Sequence, residues 1–333
     1  VSTAVKTQAK RARRTDATAW CYVSGRVNAL EKSLLPRNFF TALLECGSAA
    51  EARAALGKTA YRTAFAGDEA VVEYAATIQA YGAAAREELF GQCPPHAIKR
   101  AWGLAGRYRA ARVQFLRRAG EGAAAELAEI LETIADGARG RQALAAHRDL
   151  VAALGKSGDG VATSLVLDSA ACTVMLDIAR SAPEAAVRGL LSDRAVLAAW
   201  SSVLRSRWNG TPAEVINRWF VFGGGPEGLV RDTAEAAEAE PAAALAGRVS
   251  RGVKERLEAA GREALRSDLD AAVSRAIREK VLVCRRPAFG PERLLAYLWA
   301  LEVEERNLRI ALAAVVENLD RGAAAAKLGG EYA

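Results

Sequence analysis

With two histidines, five cysteines and few aromatic residues (6%) in 333 positions, this chain is short of the side chains that most chemistry uses. His96 and His147 lie far apart and outside any zinc-ligand motif, so both read as structural or solvated. Cys21, Cys46, Cys93, Cys172 and Cys284 are odd in number and include no CxxC pair. A disulfide framework is thereby disfavoured, and the expectation is small buried hydrophobes in a reducing cytoplasm. No run of about 18 uncharged apolar residues exists, as a membrane span would need. The segment near Val1 is polar and basic, without the apolar core of a signal peptide. Val/Ile-rich segments of alternating polarity are nearly absent too, which argues against sheets.

What is abundant is Ala, Leu, Arg and Glu, all helix formers. An all-α protein follows, and its length calls for two or three packing units. Ser157–Gly160, Gly223–Pro226 and Arg285–Pro287 are the clearest breaks. Residues 1–15, with Lys6, Lys10, Arg11, Arg13 and Arg14 and no acid, read as a basic tail. Three segments share a pattern of a helix running to an Arg-rich end and a turn: 98–118, 193–220 and 294–319. Within the second, Asn209-Gly210-Thr211-Pro212 predicts a helix stop at Gly, an N-cap at Thr and a first-turn Pro. Repeats about 100 residues apart suggest related units longer than a solenoid repeat.

No catalytic constellation emerges. Gly223, Gly225 and Gly228 form a GxGxxG, but without a βαβ unit around it such a loop does not present its N–H groups to a pyrophosphate. Gly155-Lys156-Ser157 and Gly57-Lys58-Thr59 end like a phosphate loop, yet Leu150 and Ala52 stand where its first glycine is required. The acids of Asp232–Glu240 read as a solvated face. The strongest electrostatic feature is 98–118, which has seven basic residues and no acid. At about 100° per residue, Arg100, Arg107 and Arg118 line up, with Lys99 and Arg117 on the flank. These five are the candidate partner interface, balanced against a face neutralised by acids elsewhere in the chain. The net charge of +7 also suits nucleic acid, though no recognition fold or interleaved aromatics accompany it.

The C-terminal segment 289–328 is the most informative. Pro291 suits a helix first turn. Beyond it, positions 294, 298, 301, 305, 308, 312, 315 and 319 repeat in steps of three and four, all apolar except Glu305. One long helix therefore has a seam that a partner must cover, expected to be the Tyr22–Leu35 helix. Set into it is a polar block: Glu302, Glu304, Arg306, Asn307 and Arg309. Near the other end, Tyr22–Glu31 (YVSGRVNALE) leads to Leu34-Leu35, and Ser48 and Glu51 have capping-box spacing.

These two ends resemble the opening and terminal helices of the C (or d) subunit of V-type and A-type rotary ATPases, roughly "YVxARVxALExxLL" and "FGPxPxxAYLxAKExExxNLRxI". The match covers about a third of the chain. It departs from the family at Leu301, where a Lys is usual, and at Ala110 and Ala199, where the repeats should carry the Asn that Asn307 keeps. The resemblance implies a funnel of three similar helical-bundle domains with pseudo-threefold symmetry, here 16–95 plus 289–333, 96–192 and 193–288. It implies a non-catalytic socket without cofactor or metal, seated between the central-stalk subunits (D and F type) and the proteolipid rotor ring on the cytoplasmic face. In it Glu302, Arg306, Asn307 and Arg309 would form a structural polar network. Two other readings are a basic helical nucleic-acid-binding protein and an enzyme using the glycine loop.

Overall fold

The computed structural model describes residues 18, 20–67, 69–117, 123–154 and 160–329. Among them the regular elements are helices, with no strand. The first is α1 (20–31). It is followed by α2 (Arg37–Glu45), α3 (Ala49–Leu56), α4 (Glu69–Val72) and α5 (Tyr74–Gln92). Next come α6 (Ala97–Arg117), α7 (Ala123–Ile134), α8 (Gly137–Ala143), α9 (Ala145–Leu154), α10 (Gly160–Arg180) and α11 (Ala185–Trp208). The last are α12 (Ala213–Trp219), α13 (Leu229–Ala236), α14 (Arg251–Ser267), α15 (Leu269–Arg285), α16 (Pro291–Val316) and α17 (Arg321–Lys327). A 3₁₀ turn, Pro241–Leu245, precedes α14. The chain divides into two compact units, one made of the residues up to Pro95 with those from Arg278 on, the other of His96–Ile277. The stretch that the sequence reading splits at 192 thus clusters as one unit.

In the first unit α16 is the axis, packed against α5, α2 and α3. Pro291 does begin it, after Gly290 at φ 132°, a conformation few other residues adopt. The seam is buried as its period requires, but its upper half meets α2, α3 and the 56–65 segment rather than α1. Leu308 and Leu312 sit in one cluster with Phe40, Leu43, Leu56, Tyr61 and Phe65. The α1 segment instead meets the start of α16, where the Gly290 N–H donates to Ser24 Oγ at 3.0 Å. The helix also stops earlier than position 319. Asn318 turns left-handed (φ 53°) and the Leu319 N–H returns to the Ala314 carbonyl at 3.0 Å, a Schellman closure. Leu319 is left half exposed. Both Leu308 and Leu312 are fully buried, so Leu308→Ala should destabilise by roughly 2–5 kcal/mol. An unchanged urea midpoint would contradict that packing.

Local signals elsewhere hold with shifts of one residue. Ser48 caps α3 by accepting from the Glu51 N–H (3.3 Å), while the Glu51 carboxylate reaches back to the Gly47 N–H (2.8 Å). At the α11–α12 turn Gly210 has φ 87°, but Pro212 rather than Thr211 is the N-cap.

The second unit is built round α10, which packs on α11, α6, α7, α9 and α12. By length and composition α10 is apolar enough to cross a membrane (mean hydropathy 1.6). Yet it carries Asp168 and Asp177, and 67% of its apolar window is buried within the protein, the environment of a core helix. Cys93, Cys172 and Cys284 are buried and unbridged, as small hydrophobes would be; Cys21 is exposed, against expectation.

Candidate functional site

Inside the first unit the polar block of α16 is built into the core. Asn307 is buried and its Oδ1 accepts from the Gly329 N–H at 2.7 Å, closing the chain end onto the helix. Glu302, Arg306 and Arg309 are half-buried, and Arg309 lies 3.3 Å from Glu305. The centre of the network is formed by Glu304, a member of the block outside the four residues expected to make the network, and by Glu305, the charge on the seam. Glu305 is 3% exposed and takes a bond from Arg86 Nη1 at 2.7 Å. Glu304 is 6% exposed and accepts from the Tyr61 hydroxyl at 2.8 Å and from the Leu35 N–H. One signal in the sequence did point here: a charge on an otherwise apolar seam needs a buried partner.

Burial pushes the Glu304 carboxyl up to about 7, and the like charge of Glu305 adds to it, while the Leu35 N–H and Tyr61 hydroxyl oppose the shift. Glu305 is raised too, mainly by burial and against the pull of Arg86. The Tyr61 hydroxyl is raised by burial and by Glu304, so it stays a donor. A carboxyl whose folded pKa lies above its unfolded value favours folding most when protonated. Its stabilising contribution is therefore complete below about pH 4.5 and is lost as pH rises through about 7. For Glu304 that amounts to about 3 kcal/mol. Urea titrations at acid and at mildly alkaline pH should show this loss, and Glu304→Gln should flatten the profile over that window. An identical profile in the variant would contradict the assignment.

On the basic helix Arg100 follows the second of the two readings, a face neutralised by acids elsewhere in the chain. Arg100 donates to Asp136 (2.5 Å) and to Ser181 (2.9 Å), so this cation is neutralised within the second unit. Lys99 is exposed; Arg107 is half-buried, its Nε buried without a partner. Arg117 ends α6, and Arg118 lies outside the described residues. On another face, Tyr108 donates to Asp168 Oδ1 at 2.5 Å, Ser202 to its Oδ2 at 2.6 Å, and Arg112 donates to the Tyr108 oxygen at 2.8 Å. That arrangement locks α6, α10 and α11 together.

The remaining candidates are bonded within the fold. The glycine loop follows α12 without a strand, and its Gly223 N–H donates to Thr173 Oγ1 (3.0 Å) and its Gly225 N–H to the Phe222 carbonyl (3.1 Å). Those donors are spent inside the fold. Asp232, expected on a solvated face, instead bonds Arg248 at 2.5 Å. His96 Nε2 lies 2.9 Å from Glu184, and His147 is fully buried 3.1 Å from Ser169 Oγ, burial holding it near 4 and so neutral. Among the described residues no group of three or more His, Cys, Asp or Glu could hold a metal ion. Comparison with family models gives no match, and comparison with curated proteins gives none.

Proposed function

We propose that the chain is a non-catalytic coupling subunit of a V- or A-type rotary ATPase, a socket that holds the foot of the central stalk on the membrane rotor ring. One observation carries this reading. The two segments that resemble the family's terminal motifs, far apart in sequence, fold against each other. The Glu31 carboxylate pairs with Arg293 at 2.6 Å, Ser24 takes the Gly290 N–H at 3.0 Å, and Leu35 donates to Glu304. Such contacts support the reading, because they join the two resembling segments as one helical domain would require.

In this reading the chain works mechanically. Three helical bundles arranged as a pseudo-threefold funnel grip D- and F-type stalk subunits and rest on the proteolipid ring at the cytoplasmic face, and many small buried contacts make the joint stiff. It needs no cofactor and turns over no nucleotide. Lys99, Arg107, Arg117 and Arg118 are its candidate contacts to acidic partner surfaces; Arg100, held by Asp136, contributes less. The alternative, a nucleic-acid-binding helical protein, is weakened by that commitment of Arg100 and by Arg112 facing Asp168. Gel filtration of the purified chain with stalk subunits, and separately with solubilised ring, should give stable complexes. Salt-sensitive binding to DNA with no complex of either kind would favour the alternative.

A further inference from the structure

We propose that a cleft in the first unit, between the α1–α2 connection and α16, binds a small zwitterionic amine of amino-acid size. Its ammonium or guanidinium group would dock on the Glu304 carboxylate, and its own carboxylate would face Arg37. The cleft encloses about 430 Å³, within the range of small-ligand pockets. Its polar lining comprises Glu31, Arg37, Asn38, Arg285, Glu304 and Asn307.

Charge in this lining is unevenly matched. Glu31 is compensated, by Arg293 at 2.6 Å and Arg285 at 3.9 Å. Glu304 is not: its partners are the Leu35 N–H and the Tyr61 hydroxyl, both neutral, and no cation among the described residues pairs with it. Each carboxylate oxygen therefore keeps a lone pair for a further donor. Arg37, also in the lining, is exposed and pairs with no acid among the described residues. A carboxyl and a guanidinium in one lining, neither paired with an opposite charge among the described residues, outline a ligand that brings a cation to the first and an anion to the second. A buried carboxylate is where a cationic nitrogen gains most, because water competes least.

The groups facing Glu304 are Glu305 and Tyr297 on α16, Tyr81 on α5, and Tyr61. With its carboxyl near 7, Glu304 is largely protonated in the empty cleft at about pH 6.5. A docking cation must displace that proton into the buffer.

Calorimetry on the full chain with arginine and with agmatine, which lacks the carboxylate, tests the site. Arginine is expected to bind, agmatine more weakly. Near pH 6.5 the arginine heat should change with the ionisation enthalpy of the buffer, a readout that needs no variant. Glu304→Gln should weaken both ligands by about tenfold, the loss expected for one charge-assisted hydrogen bond. Arg37→Ala should bring arginine down to the agmatine level. No binding of either ligand, no buffer dependence, or undiminished affinity in Glu304→Gln would overturn the proposal. The site stands whether or not the chain is a coupling subunit, since none of these measurements uses stalk or ring.

Discussion

Gly82→Ala is expected to destabilise the protein by about 2–4 kcal/mol, although the same change in an open helix interior stabilises by about 1 kcal/mol. Gly82 lies in α5, where that helix passes α16. A Cβ built there would come 1.6 Å from Glu305 Oε1, 2.6 Å from its Cδ and 2.9 Å from Arg86 Nη2. None of these atoms can yield cheaply. Glu305 is held at 3% exposure, and moving it breaks its bond to Arg86. The methyl group must therefore separate the helices or expel a paired charge into an apolar seam. Gly106→Ala is the matched control, because nothing lies within 4 Å of its Cβ position in α6. The two variants should move the denaturation midpoint in opposite directions. Stabilisation by both would show that α5 and α16 do not approach so closely.

Removing the cation should cost at least as much. Arg86→Met leaves Glu305 buried with only Arg309 near it, at 3.3 Å and 40% exposed. Truncating one partner of a buried pair typically costs about 3–5 kcal/mol, because the remaining charge keeps its desolvation penalty. The double variant Arg86→Met/Glu305→Leu removes that penalty and should recover most of the loss. A double variant as unstable as the sum of the single ones would mean the two side chains are not coupled.

Local features of this fold were legible because short-range chemistry decides them. Pro291 at a helix start, Ser48 as a cap and Gly210 as a stop each follow from the φ preference or hydrogen-bonding reach of one side chain. The apolar seam of α16 was legible from its period. Its partner was misread because periodicity says that a face is buried and not by what. The same limit applies to the polar core. Glu305 stood out as a charge on the seam, but Arg86 lies 219 positions away and Tyr61 lies 243 from Glu304. Helical-wheel arithmetic aligned Arg100 with Arg107, yet the acid that neutralises Arg100 sits at the α7–α8 junction. Only the tertiary fold brings it there.

The proposed role is coupling, and ion pumping tests it most directly. Vesicles bearing the rotary complex can be prepared without this chain and then supplied with it. On the proposed reading, ATP hydrolysis by the head continues without it while ATP-driven ion uptake is lost, because stalk and ring would no longer be joined. Adding the purified chain should restore uptake in proportion to the amount bound. Full pumping in its absence, or no recovery on adding a chain that binds, would contradict the account.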